Sequence, residues 1–269
     1  MKPAPFRYHR PQSLGEALEM LSSEGAKLIA GGQSLAPMMN MRLVSPTELV
    51  DLNGIEGLDR IQESAGFVEI GAMTRHQALA SSSLVRSFCP LLAEAAGTIG
   101  HYAIRTRGTL GGSLAHADPA AQIPLVAVTL GAQMVVKDRR GERIVPAAEF
   151  FLSLMTTTLA PDEIVVAARF PKAPAGARHA YEQFSRRSGD FAIVAVAAVL
   201  DEKALHIGVG GAEDKPLVFR QAATDAVSLA RKIRDAVEPA ENPRVPAIYR
   251  RELVEILVKR AVARCSSSS

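Results

Sequence analysis

Two glycine pairs in near-matching surroundings constrain this chain more than any other feature. The first lies in Leu28-Ile29-Ala30-Gly31-Gly32-Gln33-Ser34-Leu35, where apolar residues run into Gly-Gly and small polar side chains. That order reads as a short strand ending in a turn whose backbone N–H groups are bare of side-chain bulk. Glycine permits positive φ and lets a ligand come within contact distance of the main chain. Successive N–H groups of this kind form a concave nest suited to an anion, most often phosphate. One such turn is more often a plain connection between elements. A second, Gly108-Thr109-Leu110-Gly111-Gly112-Ser113, shifts that balance, because two turns are what holding both phosphates of a dinucleotide requires.

At 269 residues, 48% hydrophobic and 22% charged, the chain has the makings of a soluble globular protein with two domains. No apolar run approaches the ~20 residues of a membrane span. The opening Met1-Lys2-Pro3-Ala4-Pro5-Phe6-Arg7 lacks the apolar core of a secretory signal, so a cytoplasmic location is expected. Cys89 and Cys265 fit a reducing compartment, and they fall short of the four thiolates an all-cysteine iron–sulfur cluster needs. Net charge is only +3, and the basic residues, such as Arg105, Arg107, Arg186, Arg187, Arg250 and Arg251, are scattered with few aromatics between them. A nucleic-acid partner would call for a denser basic stripe, so none is expected.

Along the chain, Phe6 and Tyr8 before Pro11 suggest a short edge strand. Ser13-Leu14-Gly15-Glu16 has the spacing of a capping box and predicts a helix to about Ser22, with Leu14, Leu18 and Leu21 on one face. Strands are expected over Lys27 to Ala30 and Glu48 to Leu52, with one helical turn from Leu35 to Met41, making residues 1–55 a small α/β unit. A strand over Phe67 to Ala72, a helix capped by Thr74 and running through Leu79, and a helix over Pro90 to Ile99 follow. Tyr102 to Ser113 reads as a loop, and Ala120 to Leu130 as a buried helix. A hairpin joins Ala132 to Lys137 with Arg143 to Val145, and Ile164 to Phe170 is a strand. Lys172-Ala173-Pro174-Ala175-Gly176 is a linker. Beyond it, strands over Ala180 to Arg186, Ala192 to Leu200 and Leu205 to Val209 form an antiparallel meander. Helices over Ala222 to Val237 and Ala247 to Arg264 close the chain before a disordered end at residues 266–269.

Taken together, these residues resemble the medium, FAD-binding subunit of the molybdenum hydroxylases, the group of xanthine dehydrogenase and aerobic carbon monoxide dehydrogenase. The likeness is carried by Ala30-Gly31-Gly32-Gln33-Ser34-Leu35 and by Thr109-Leu110-Gly111-Gly112-Ser113-Leu114-Ala115-His116-Ala117-Asp118-Pro119-Ala120-Ala121. The opening Phe6, Tyr8, Pro11 and Ser13, the strand Val68 to Ala72 and Tyr249-Arg250-Arg251 add to it. The resemblance implies an α+β fold. A two-subdomain α/β FAD-binding domain of the PCMH type would occupy residues 1–175, divided near residue 55. A C-terminal domain with a three-stranded antiparallel sheet and helices would occupy residues 176–265.

It also implies site residues. Leu28, Ile29, Ala30, Gly31, Gly32, Gln33, Ser34 and Leu35 would wrap the pyrophosphate and ribitol of FAD. Thr109, Gly111, Gly112 and Ser113 would hold the other side of the diphosphate. Ala117 and Asp118 would line the cofactor, Ile99 and Ile164 would give apolar contacts, and Phe191 would cover one face of the flavin ring. Partners implied are a [2Fe–2S] small subunit and a molybdenum-cofactor large subunit, in a heterotrimer or a dimer of heterotrimers, together with an external electron acceptor. Three departures stand out: Gln122 where an acidic residue is common, Glu182 where xanthine-type members have Lys, and a short stretch from Asp214 to Tyr249.

No other chemistry is legible. His101 and His116 lie near the second glycine pair without metal-site spacing. Ser113 has no evident base partner, which leaves a hydrolase resting on a lone serine. Neither glycine pair forms G-x-G-x-x-G ahead of a helix. No catalytic acid, base or metal ligand is therefore expected. The alternatives are a self-contained FAD-dependent oxidoreductase acting on a small molecule, and a binding module that has lost FAD.

Overall fold

The computed structural model describes residues 2–221 and 226–266. Three short strands open it: β1 (Arg7–His9), β2 (Ala26–Ile29) and β3 (Glu48–Asp51), parallel and in the order β1-β3-β2. Between the first two runs α1 (Leu14–Leu21), whose Ala17, Leu18 and Leu21 are buried. Ser13 caps it, its Oγ accepting from the Glu16 N–H. The Glu16 carboxylate takes the N–H of Gln12, one residue earlier than the reciprocal capping pattern prescribes. A short helix α2 (Leu35–Asn40) follows β2.

The middle of the chain builds a five-stranded antiparallel sheet. Its strands are β4 (Ile61–Ser64), β5 (Phe67–Gly71), β6 (Gln133–Lys137), β7 (Glu142–Pro146) and β10 (Ile164–Pro171), in the order β4-β5-β10-β6-β7. The short pair β8 (Phe151–Ser153) and β9 (Thr156–Thr157) lies outside it. Helices α3 (His76–Ser81), α4 (Ser83–Phe88), α5 (Pro90–Gly97), α6 (Tyr102–Arg105), α7 (Leu110–His116), α8 (Gln122–Thr129) and α9 (Ala147–Phe150) connect the strands. Nearly every residue of α8 is buried, as a helix apolar on all sides requires.

The last sheet corrects one expectation. It has four antiparallel strands rather than three: β11 (Arg178–Phe184), β12 (Val194–Leu200), β13 (Leu205–Gly210) and β14 (Leu217–Gln221). The fourth escapes sequence inspection because its half-buried Leu-Val-Phe-Arg-Gln lacks clean alternation. Helices α10 (Ala226–Ala236) and α11 (Ala247–Ser266) cover one face. The expected start of the first of these, residues 222–225, lies outside the described residues, as do 267–269 of the expected tail; Ser266 ends α11.

β12 shows why the chain holds together. Val194, Val196 and Ala198 belong to the core shared with α10 and α11, whereas Ala195, Ala197 and Val199 belong to the core of the middle unit. The two-residue period of a strand thus places one run of small apolar residues in two cores. β13 does the same differently. Leu205, Ile207 and Val209 face the C-terminal helices, and Gly208 and Gly210 lie against α8. A Cβ on Gly208 would fall 1.9 Å from Thr129 Oγ1 and 2.9 Å from Leu125 Cδ1. Across the same seam Arg264 of α11 bonds Glu182 at 2.8 Å and Glu94 of α5 at 2.7 Å.

The expected loop over Tyr102 to Ser113 is also corrected, since it contains α6 and the start of α7. Propensity hides the latter, because Gly111 and Gly112 are poor helix formers, yet Thr109 Oγ1 caps it by accepting from Gly112 N–H. The helix expected from Thr74 begins instead after Arg75, with α4 following directly. Introducing a methyl group at the sheet–helix contact, Gly208→Ala, is expected to destabilise the chain by about 1–3 kcal/mol through overpacking. Chemical denaturation checks this, with Gly141→Ala controlling for glycine at a position outside the left-handed region where added bulk meets nothing within 4 Å.

Candidate functional site

The two glycine segments meet. A Cβ on Gly31 would lie 2.2 Å from the Arg107 carbonyl oxygen and 2.9 Å from Gly108 Cα, so only glycine allows this contact. Gly112 faces Ala30, where an added Cβ would come to 3.9 Å. Gly32 adopts a φ of 69° and turns the chain from β2 into α2. Gln33 Nε2 donates back to Gly31 O at 2.9 Å, which tightens the turn. Among the described residues, the N–H groups of Gly32, Gln33 and Ser34 have no acceptor, and residues 28–36 are half-buried.

A polar brace ties the segments together. Asn53 Nδ2 donates to Ala30 O at 2.8 Å, and Arg75 Nη2 donates to Asn53 Oδ1 at 2.5 Å. Arg75 Nη1 reaches the Arg107 carbonyl, also at 2.5 Å. Asn53 is itself set by Asp51, whose Oδ1 accepts its N–H at 2.9 Å and whose other oxygen accepts from Tyr8 Oη. A cavity of about 310 Å³ opens beside the brace, lined by Asn53, Gly54, Glu56, Asp59 and Arg75 among others.

In the second segment Gly111 packs on Ala72, with its N–H donated to Ala72 O at 2.8 Å. Leu110 N–H goes to Thr74 O at 2.9 Å. Ala117 ends α7 in the left-handed region, at a φ of 52°, and is buried. Asp118 Oδ1 accepts the Ala120 N–H at 2.9 Å, fixing the bend into α8. The expectation that Ser113 lacks a base partner is corrected: His76 Nε2 lies 3.2 Å from its hydroxyl. The same nitrogen lies 2.9 Å from the Thr109 carbonyl oxygen.

The remaining expected residues divide. Ile99 is half-buried, and its carbonyl accepts from Arg105 Nη1 at 3.1 Å. Ile164 is 1% exposed, closed into the core on which Leu28 and Ala30 pack, and so lies beneath the first glycine segment. Phe191 is 59% exposed on the loop before β12, which rules out a packed core aromatic. That loop reaches the site through Gly189, where an added Cβ would meet the His101 ring at 2.6 Å. Gln122 is buried and donates to Gln183 at 3.2 Å, and Glu182 is paired with Arg264. Asn53, Arg75 and His76 were missed, because nothing near each in sequence marks its partner. Among the described residues no three His, Cys, Asp or Glu side chains converge to hold a metal, and no helix is long and apolar enough to cross a membrane.

His76 is buried, and its pKa is pushed down to about 4 by desolvation, with Arg75 and Arg105 adding to the effect against the bond to Thr109. It is therefore neutral at pH 7. Unfolded histidine titrates near 6.5, so between these values the unfolded chain binds more protons. The stability His76 contributes is full above pH 6.5 and is lost as pH falls towards 4. Between pH 7 and pH 5 the chain is expected to lose about 2 kcal/mol more stability than His76→Gln does, as read by denaturant titration at both pH values.

Comparison with known proteins places this geometry. A family described as the FAD binding domain in molybdopterin dehydrogenase matches residues 4–173. The CO dehydrogenase flavoprotein C-terminal domain matches residues 179–265. The carbon monoxide dehydrogenase medium chain of Hydrogenophaga pseudoflava is 38% identical over 99% of this chain and 100% of its own length. The 6-hydroxypseudooxynicotine dehydrogenase complex subunit alpha of Paenarthrobacter nicotinovorans is 37% identical, covering 98% of this chain and 95% of that one. A solved carbon monoxide dehydrogenase from Hydrogenophaga pseudoflava superposes with a TM-score of 0.94 at 37% identity, covering 98% of each chain. With both halves matched in order and nearly the whole length aligned, the chain belongs to the FAD-binding medium subunits of the molybdenum hydroxylase-type dehydrogenases.

Proposed function

We propose that this chain is the electron-transfer flavoprotein subunit of a molybdenum hydroxylase assembly, holding FAD where the two glycine segments meet. The observation that carries this is the contact of Gly31 with the Arg107 carbonyl and Gly108. It brings the segment that carries the free N–H groups of Gly32, Gln33 and Ser34 against the segment of Gly112, which faces Ala30, a cradle fitted to a diphosphate. On this reading residues 1–175 form the FAD-binding domain and residues 176–265 the C-terminal one.

FAD, when bound, supplies the redox chemistry. The chain's own residues hold and shield it. Residues Leu28 to Leu35 offer backbone donors and the Ser34 hydroxyl to one side of the diphosphate. Thr109, Gly111, Gly112 and Ser113 close the other side, with Ala117 and Asp118 at the end of α7. Arg75, Arg105 and Arg107 keep the surroundings positive, which favours an anionic ligand. Ile99 gives an apolar wall and Ile164 supports it from below. Phe191, exposed on its loop, can stack on the flavin ring but cannot hydrogen-bond to it, and a swing of the loop would uncover the ring. His76, neutral at pH 7 and engaged with Thr109, is not placed to act as a general base.

Cys89 and Cys265 are both buried and cannot hold a cluster by themselves, so an iron–sulfur cluster that feeds this chain sits on another. A [2Fe–2S] small subunit fits that role, with substrate oxidised on a molybdenum-bearing large subunit and electrons leaving to an external acceptor. The relatives' names, a medium chain and a complex subunit, accord with such an assembly.

The first test is an absorption spectrum of the purified chain, alone and co-expressed with its genomic neighbours. FAD released on denaturation, with iron–sulfur absorbance only when the neighbours co-purify, is the expected result. A colourless chain that takes up no added FAD refutes the proposal, and flavin reduced by a small substrate without partners supports a self-contained oxidoreductase instead. Gly31→Ala is expected to weaken FAD binding at least ~10-fold by forcing the two segments apart, measured by quenching of flavin fluorescence.

A further inference from the structure

His76 touches the second glycine segment at three points. Its Nε2 lies 2.9 Å from Thr109 O and 3.2 Å from Ser113 Oγ. Its Nδ1 is buried without a partner and faces Gly108, where an added Cβ would sit 2.7 Å from it. A carbonyl oxygen only accepts hydrogen bonds, so the Thr109 contact requires the proton to be on Nε2. The other tautomer would set two lone pairs against each other and would bury an N–H with no acceptor, a rarely tolerated orphan. The ring is thus assigned from its partners as Nε2–H with Nδ1 bare.

The consequence falls on Ser113. The single proton on Nε2 is shared between Thr109 O and Ser113 Oγ in a three-centre bond, so the Ser113 oxygen accepts and its hydroxyl proton points elsewhere. Among the described residues Ser113 Oγ has no other partner, and Ser113 is half-buried beside Gly112, which faces Ala30 of the first segment.

We propose that His76 is a positioning residue: by donating from Nε2 it turns the Ser113 hydroxyl outward, as a donor to an anionic oxygen of the cofactor's diphosphate. The inference rests on the cofactor site proposed above. It also explains why a serine–histidine contact on this chain is not a nucleophile with its base. The nitrogen that would take the serine proton already carries one.

Two measurements on the full-length chain test it. Nitrogen NMR of the histidine-labelled, unmutated chain at pH 7 reads the tautomer directly, and an Nε2–H ring for His76 is expected. FAD affinity is then compared for the unmutated chain, Ser113→Ala, His76→Leu, His76→Gln and the His76→Leu/Ser113→Ala double variant, with thermal melts confirming that each is folded. Ser113→Ala is expected to weaken FAD about tenfold, the effect of losing one hydrogen bond to a charged group. His76→Leu is expected to cost nearly as much, and His76→Gln, which keeps an N–H at that place, less than about threefold. In the Ser113→Ala background His76→Leu should add nothing, because it acts through the hydroxyl already removed. An Nδ1–H ring, multiplying losses in the double variant, or a glutamine variant no better than leucine each overturns the inference while the cofactor site stands. An unmutated chain that takes up no FAD overturns both. If His76→Leu does not fold, the tautomer and the glutamine variant still decide.

Discussion

The contact between Gly31 and the Arg107 carbonyl is the constraint on which the site depends. It brings the end of β2 against the segment leading into α7 at a distance no side chain would permit. Steric permission alone does not hold two loops together. Asn53 and Arg75 do so, one bonded to the Ala30 carbonyl, the other to the Arg107 carbonyl, and each bonded to the other. The parallel three-stranded sheet positions Asn53, and the turn after β5 positions Arg75, so both structural units share the brace. A groove made this way has backbone on both walls, which is what an extended anionic ligand needs when its recognition is to come from N–H groups rather than from long flexible side chains.

The C-terminal unit is tied to the same frame by packing, with polar contacts such as Arg264 to Glu94 and Gln122 to Gln183 added across the seam. α8 is apolar all round because β13 lies against one side of it and the middle core against another. Gly208 and Gly210 make the approach close enough for α8 to pack directly on the sheet. A consequence reaches the far end of β12. The loop carrying Phe191 is set down on His101 through Gly189, and His101 is the N-cap of α6, the helix that leads to Arg107. The loop that carries the exposed Phe191 thus touches the residue that opens the helix before the second glycine segment.

Basic groups gather at this place, with the opposite charges of Asp51 and Asp59 acting on Arg75. Arg75 and Arg105 lie near a histidine that burial keeps neutral. Arg105 is spent on structure, its guanidinium holding the Ile99 and Gly100 carbonyls and Gln77. A site with fixed positive groups, oriented N–H donors and a histidine held neutral is suited to binding an anion, in keeping with a subunit whose chemistry resides in its cofactor.

Much of this was legible without coordinates. The glycine pairs, the strand before the first of them, the amphipathic α1 and the apolar β12 are local patterns, and local patterns survive folding because backbone sterics and side-chain periodicity act over a few residues. The sequence also set the limits: two cysteines, no metal spacing, no long apolar run. The helical start at Thr109 was not legible, because its glycines argue against helix until Ala72 is seen packed on Gly111. Nor was the partnership of His76 with Ser113, of Arg75 with Arg107, or the burial of Ile164. Each of these joins residues far apart in the chain, and its energy exists only when tertiary packing removes water and brings the two groups to contact.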